Sequence, residues 1–337
     1  MNISREQLEN LFAGFSNLKV LILGDVMIDS YLTGKVERIS PEAPVPVVLV
    51  NHKSNMLGGA ANVALNIRSL GAVPVLCSVI GDDTKGADFI RLLEREHIDT
   101  SAILKSGHRI TTTKTRIIGN KAQLLRVDEE ITDDLGAADT HRLLVKLDAL
   151  MEQADIKAII LQDYNKGVLT PEVISHIIAL GKRLNVPVVV DPKHKNFNAY
   201  RQVDLFKPNL KELREGLKQE IDLKDIEKIK SACADWQHQQ EITSMMVTLS
   251  ENGLYMREIL DGHTKEYHIP AHLRNIADVS GAGDTVISVA SLCRALDTDT
   301  WITAALSNIA GGLVCEQLGV VPVNGKQLLE EAIELLK

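Results

Sequence analysis

Val20-Leu-Ile-Leu-Gly-Asp25 is a short apolar run that closes abruptly on a carboxylate. The pattern recurs at Val75-Leu-Cys-Ser-Val-Ile-Gly-Asp82, Ala158-Ile-Ile-Leu-Gln-Asp163, Val186-Pro-Val-Val-Val-Asp-Pro192, Leu205-Phe-Lys-Pro-Asn209 and Met246-Val-Thr-Leu-Ser250. Near-continuous apolar strands are what a parallel sheet covered on both faces requires. Helical patterns lie between them, over Ala60–Leu70, Thr84–Glu96, Ala138–Ala154, Pro171–Leu184 and Leu223–Gln240. Alternating strand and helix predicts an α/β fold of three layers, a mostly parallel central sheet with helices on both faces and right-handed crossovers. In such sheets ligands bind beyond the carboxyl ends of the strands. One strand ending in Asp is an ordinary turn starter. Asp25, Asp82, Asp163, Asp191, Asn209 and Ser250 together outline the floor of a site for a polar ligand.

Two regions break this rhythm. Residues 29–55 contain Pro41, Pro44 and Pro46 among β-like alternation, and residues 108–128 carry Gly119-Asn120 as a hairpin signal. Two extended excursions from an α/β core predict a small separate β-sheet with its prolines at the edges. It would serve as a lid, a dimerisation surface, or both. No repeat or flexible linker interrupts the 337 residues, so a single domain with lid segments is expected.

The chain is 45% hydrophobic and 24% charged, ample for a large core. A formal charge of −8 disfavours nucleic acid or an anionic membrane as a partner, and a phosphorylated small molecule would need locally clustered Lys and Arg. Cys77, Cys233, Cys293 and Cys315 show no Cys-x-x-Cys spacing, and the first residues hold no apolar leader. The expectation is a soluble, cytoplasmic protein.

The sequence has no G-x-x-x-x-G-K-[ST], no G-x-G-x-x-G after the first strand, no H-E-x-x-H and no G-x-S-x-G. What it has instead is Asp278-Val-Ser-Gly-Ala-Gly-Asp284-Thr285, leading into a helix-like run to Leu296. Gly281, Ala282 and Gly283 free the backbone to turn its N–H groups toward one point, and the helix aims its positive dipole end at the same place. A carboxylate at an anion-binding corner reads as a proton acceptor beside a phosphate, although Gly-Ala-Gly-Asp is also a good turn and N-cap. Gly58-Gly59 and Asn62 open an earlier helix, either for close approach of a ligand or for tight packing on the sheet. Asn209-Leu210-Lys211-Glu212 reads as a capping box, or as a site where Glu212 holds the water shell of Mg²⁺. Thr248, Ser250 and Gly253 end a strand in a turn suited to phosphates or to nothing in particular. Asn308 is polar in an apolar helix face and either touches a base or ribose or is simply satisfied.

The order Gly58-Gly59, Asn209-x-x-Glu212, Asp278, Gly281-Ala-Gly-Asp284 resembles the ribokinase family, the phosphofructokinase B type sugar kinases, from about Lys19 to Gly325. Within it, Arg38-Ile-Ser-Pro-Glu-Ala-Pro-Val-Pro-Val47, Gly58–Ala64, Asp163-Tyr164-x-Lys166-Gly167 and Asp191-Pro-Lys193 resemble the kinase domain of D-glycero-β-D-manno-heptose-7-phosphate kinases, which act in ADP-heptose synthesis for the lipopolysaccharide core. In many of those proteins a nucleotidyltransferase domain follows, whereas this chain resembles the stand-alone kinase form. The resemblance implies a ribokinase-like fold, ATP and Mg²⁺ as cofactors, and phosphorylation of the anomeric oxygen of heptose 7-phosphate. It implies Asp284 as general base, and the N–H groups of Gly281, Ala282 and Gly283 as an anion hole. Asn209 through Glu212 would be the metal and phosphate motif, with Thr248, Ser250, Gly253 and Asn308 at the nucleotide. Asp25, Asp29, Gly58, Gly59 and Asn62 would hold the sugar. Lys114, Arg116, Arg126, Lys166 and Lys193 would supply cations for its phosphate, the alternative for Lys114 and Arg116 being a solvated strand face. Asp278 and Ser280 match the family's monovalent-cation (K⁺) site, but Val279 departs from the usual Thr. A homodimer through the lid is expected. Other acceptors (ribose, fructose 1-phosphate, tagatose 6-phosphate) and a silent sugar- or nucleotide-binding regulator are the alternatives.

Overall fold

The computed structural model describes residues 3–218, 225–272 and 274–337. In chain order its elements are α1 (Arg5–Phe15), β1 (Lys19–Gly24), β2 (Val26–Ile39), β3 (Pro46–Gly59), α2 (Ala60–Ser69), β4 (Val73–Gly81), α3 (Thr84–Arg95), β5 (Ile103–Ser106), β6 (Thr113–Gly119) and β7 (Ala122–Glu129). There follow α4 (Ala137–Gln153), β8 (Ile156–Gln162), α5 (Pro171–Leu184), β9 (Val188–Asp191), β10 (Leu205–Phe206), α6 (Leu210–Leu217) and α7 (Ile226–Gln240). The chain ends with β11 (Ser244–Thr248), β12 (Leu254–Leu260), β13 (His263–Ile269), α8 (Ala282–Ala295), α9 (Thr300–Cys315) and α10 (Gly325–Leu335). The expected helix from Leu223 begins at Ile226 in the described residues; Leu223 and Lys224 lie outside them.

The central sheet runs β13-β12-β11-β10-β9-β8-β1-β4-β5. It is parallel from β5 to β11, and β12 and β13 complete it as antiparallel strands. Alternation in the apolar runs builds two cores. Val20, Ile22, Ala158 and Ile160 face the layer of α2, α8 and α9, while Leu21, Leu23, Ile159 and Leu161 face that of α4, α5 and α7. Helix boundaries follow local chemistry. In α5, Thr170 accepts from the Val173 N–H, Pro171 occupies the first turn, and Asn185 closes the helix in the left-handed conformation.

A second, four-stranded sheet is ordered β3-β2-β6-β7. Both extended excursions therefore join one sheet, with β6 lying parallel to β2. Pro46 starts the edge strand β3, as the loss of a ladder donor demands. The β6–β7 turn is made by Asn120 and Lys121, both at positive φ, a two-residue arrangement that suits the strand twist. Asn120 also exchanges hydrogen bonds with the Val36 backbone at 3.2 and 3.0 Å, pinning the hairpin tip to β2. Among the described residues no helix is long and apolar enough to cross a membrane.

Candidate active site

The parallel strands set up the site through their register. Gly24 pairs with Gln162, Gln162 with Asp191, and Val190 with Phe206, so Gln162, Asp191 and Lys207 come side by side at the carboxyl edge. Above this row starts α8. Its N-cap, Gly281, has φ +83° and a neighbour, Asn62 Nδ2, that would lie 3.0 Å from any added Cβ. Only glycine makes this turn without strain, and it brings the first N–H groups of α8 to face the strand ends.

Asp284, in the first turn of α8, is buried and held by three donors. Asn62 Nδ2 donates to Oδ2 at 2.8 Å, while Tyr164 Oη and Gln162 Nε2 donate to Oδ1 at 2.8 and 3.1 Å. Burial, reinforced by the charge of Asp191, raises its pKa to about 6 despite the hydrogen bonds and Lys207 pulling it down. That is a carboxylate ionised at neutral pH yet basic enough to take a proton.

Lys207 is almost fully buried. Its Nζ lies 3.1 Å from Asp191 Oδ2 and would be 3.5 Å from a Cβ placed on Gly283. An ammonium group thus sits against the start of α8, where an anion would rest. Burial opposes the charge of Asp191, but Lys207 and Lys193 outweigh it and hold the carboxyl below its ordinary pKa. Lys193 bridges Asp191, at 3.8 Å, and Glu212, and lies 5.2 Å over the Tyr164 ring. Burial works against its charge as well, and the two carboxylates prevail, raising its pKa. Lys193 therefore stands at the Glu212 end of the site, away from the other expected phosphate-binding cations.

The capping box at Asn209 is real: Asn209 Oδ1 accepts from Glu212 N at 2.9 Å and Glu212 Oε2 from Asn209 N at 2.8 Å. It leaves Glu212 Oε1 turned toward Lys193. Leu210 and Lys211 fill the first turn of α6. Thr248 lies beside Asn209 in a parallel bridge, and the turn after it carries Ser250 and Gly253, both at positive φ. Asn308 donates to the Pro270 carbonyl at 2.9 Å.

Asp29 and Arg116 form an ion pair on one face of the small sheet. Cross-strand partners share a face, so Asp29, Lys114 and Asp128 make one row and Tyr31, Arg116 and Arg126 the next. Tyr31 reaches toward Gly319, which turns this face to the core. Arg126 is clamped by both oxygens of Asp128 at 2.8 and 2.9 Å, and Lys166 meets Glu130 at 2.7 Å. Lys114 has no such partner among the described residues. Burial, with Lys166 nearby, lowers its pKa. Gly58 gives Asp29 its room, since a Cβ there would collide with the Asp29 carboxylate.

Some expected residues are otherwise occupied. Asp25 accepts the N–H groups of Tyr164, Lys166 and Val168 at 2.8, 3.0 and 3.0 Å, and so shapes the loop that carries Tyr164. Burial, with Asp163 close by, raises its pKa to about 6. Asp163 likewise accepts from Tyr200 at 2.7 Å. Asp82 is exposed, and its neighbour Asp83 caps α3. Asp278 accepts the N–H groups of Ser280 and Gly319 at 2.9 and 3.0 Å. Gln162, Tyr164 and Lys207 escaped the reading of single residues. The signal for Gln162 was a polar residue inside an apolar strand, and for Lys207 a charged residue directly after one.

The sequence pattern described as "pfkB family carbohydrate kinase" matches residues 17–324, and the chain belongs to that family, whose members are phosphotransferases with an alcohol acceptor. It is 37% identical over 331 residues to the bifunctional protein HldE of Geotalea uraniireducens, covering 98% of this chain and 66% of the relative. It is 38% identical over 329 residues to the bifunctional protein HldE of a Caulobacter species, covering 96% of this chain and 64% of that protein. The chain thus spans about two thirds of the length of these relatives. Among solved structures, phosphofructokinase-2 from Escherichia coli in complex with potassium superposes with a TM-score of 0.76 at 17% identity, covering 95% of this chain and 99% of that one. Arabidopsis thaliana ribokinase complexed with ribose and ATP gives 0.69 at 15% identity, covering 94% and 99%. At such identities the likeness is one of fold, and it agrees with the ribokinase-like architecture expected from the sequence.

Proposed function

We propose that the protein transfers the γ-phosphoryl group of ATP to the anomeric hydroxyl of D-glycero-β-D-manno-heptose 7-phosphate, giving the 1,7-bisphosphate for ADP-heptose and lipopolysaccharide core synthesis. The observation that carries the transfer is Asp284, buried at the N-terminus of α8 beside Lys207 with one lone pair of Oδ2 open. Asp284 takes the proton of the acceptor hydroxyl as its oxygen bonds to the γ-phosphorus. The bond from that phosphorus to the ADP oxygen breaks, and its electron pair leaves with ADP. The N–H groups of Gly281, Ala282 and Gly283 and the ammonium of Lys207 stabilise the charge on the group in flight. ATP lies over Asn209, Thr248, Ser250, Gly253 and Asn308.

The residues present fit magnesium. Asp191 Oδ1 is buried without a hydrogen bond, 3.8 Å from the Lys193 ammonium, and Glu212 Oε1 flanks the same space on the other side of that ammonium. Two carboxylates facing a phosphate site suit an ion that keeps most of its waters and arrives with the nucleotide. Bound there, Mg²⁺ would neutralise phosphate charge. A monovalent cation such as K⁺ would use Asp278 and the Ser280 backbone, as the oxygens of Asp278 each retain a lone pair.

The heptose assignment is supported by the resemblance in Arg38–Val47 and by relatives named HldE. The acceptor's phosphate lies under the lid against Lys114, Arg116, Arg126 and Lys166, where Lys114 alone lacks a counterion among these four. Asp29, Gly58, Gly59 and Asn62 border the sugar. The opposite face of the small sheet carries Leu32, Ile117 and Leu125 in one row and the exposed Val127 in the next, an apolar surface suited to a second copy of the lid. ADP release across a panel of sugar phosphates tests the substrate. Rapid turnover of ribose, fructose 1-phosphate or tagatose 6-phosphate with none of heptose 7-phosphate would reassign the acceptor, and ligand binding without any turnover would make the protein a silent binder.

A further inference from the structure

The hydrogen bonds around Asp284 are unequal. Each carboxylate oxygen offers two lone-pair sites. On Oδ1 both are taken, by Tyr164 Oη at 2.8 Å and Gln162 Nε2 at 3.1 Å, whereas Oδ2 accepts only from Asn62. We propose that Tyr164 is a positioning residue for the base: with Gln162 it saturates Oδ1 and leaves Oδ2 as the oxygen that takes the acceptor's proton. This rests on the kinase reading of the site.

Tyr164 is well placed for the task. Its own N–H donates to Asp25 Oδ2 at 2.8 Å, so its backbone is tied to the end of β1. Burial, then the negative charge of Asp284, push the phenol pKa well above its ordinary value, so the hydroxyl stays a donor throughout the working range. The Lys193 ammonium 5.2 Å from the ring centroid holds the ring from the nucleotide side. The remaining groups facing Asp284 are Asp191 at the end of β9, Lys207 after β10, the more distant Lys193, and the neutral amides of Asn62 on α2 and Gln162 on β8. Of these, only the two amides share hydrogen bonds with Tyr164 on the base. Removing its hydroxyl opens Oδ1 to the proton and withdraws a donor that favours the ionised form.

The test is Tyr164→Phe in the full chain, read first without ligands. The side-chain carboxyl carbon of Asp284, assigned by its loss in Asp284→Asn, is expected to titrate by carbon NMR with a midpoint of about 6 in the native protein. In Tyr164→Phe the midpoint rises by about one unit, the scale of a lost hydrogen bond to a charged group. The acid limb of kcat moves up by the same amount, so turnover falls about tenfold more at pH 5.5 than at pH 8. Tyr200→Phe removes a neighbouring hydroxyl that bonds Asp163 instead, and leaves the midpoint in place. An unshifted midpoint in Tyr164→Phe, or an equal shift in Tyr200→Phe, overturns the assignment. A shifted carboxyl titration in a protein that phosphorylates no sugar keeps the hydrogen-bonding role and removes the kinase reading.

Discussion

Replacing Asp284 by asparagine separates the charge of the base from its shape. A carboxyl whose pKa moves from 3.8 to about 6 on folding strains the ionised protein by about 3 kcal/mol at neutral pH, at 1.36 kcal/mol per unit. The sign follows from the direction of the shift. The folded state binds this proton more tightly, so the native protein holds its full stability below pH 3.8 and loses part of it as pH rises through about 6. Asparagine carries no such loss. Its amide is also accommodated, because Asn62 Oδ1 is buried without a partner and a flip of Asn62 presents it to the new N–H. At about 2.1 cal/mol/K per residue, 337 residues unfold with an entropy of about 0.7 kcal/mol/K, so 3 kcal/mol corresponds to about 4 °C. Asp284→Asn is expected to raise Tm by about 2–4 °C at pH 7.5, by almost nothing near pH 4, and to lower kcat by roughly 10²–10⁴-fold with ATP binding retained. Thermal unfolding across pH, with a coupled ADP assay, measures all three. A Tm difference independent of pH, or a variant less stable at every pH, would refute the account of the buried charge. Near-normal turnover would remove Asp284 from the mechanism.

Three further substitutions probe the surrounding parts. Lys207→Met strips Asp191 of its nearest cation; it should cost about 3 kcal/mol of stability and at least about 10² in kcat, while adding Asp191→Asn restores stability in denaturant titrations without restoring turnover. Lys114→Ala should raise the acceptor KM about tenfold with the ATP KM unchanged, as expected when a phosphate contact is lost from ground and transition states alike. A comparable rise in the ATP KM would move the acceptor phosphate off the lid. Gly58→Ala drives a methyl group into the Asp29 carboxylate and should raise the acceptor KM at least as far; unchanged steady-state kinetics would show that Asp29 does not border the sugar.

The apolar runs made the parallel sheet readable because strands buried on both faces leave little choice of residue, and their polar ends marked the edge where the site lies. Proline and glycine punctuation exposed the small sheet as two excursions. That β6 joins β2 in parallel was not readable, since pairing of strands 85 residues apart leaves no local pattern. The antiparallel strands β12 and β13 were equally silent, since both are mixed in polarity and β13, at the sheet edge, is largely exposed. Within the site, Asp284 and Gly281 stood out because their chemistry is conspicuous in sequence. Gln162 and Lys207 did not, because a lone polar residue in or just after an apolar strand acquires meaning only when register brings it beside Asp191. Asp25 shows the opposite case, a conspicuous residue whose oxygens are spent on the backbone.

The first core strand runs into the small sheet with a single residue, Asp25, between Gly24 and Val26, and the strand β3 returns directly into α2 through Gly59 at φ +61°. The two crossings are stitched together, as Ala60 N donates to the Asp25 carbonyl at 2.9 Å. Entry and exit therefore share one hinge pin. At this end the small sheet can rock as a plate about that pin but has no slack in which to slide. Two residues along from Ala60 sits Asn62, whose amide donates to Asp284, and the loop bearing Tyr164 hangs from the Asp25 carboxylate. Any tilt of the plate is felt first at its axle, and the axle is fastened to two groups that hydrogen-bond Asp284.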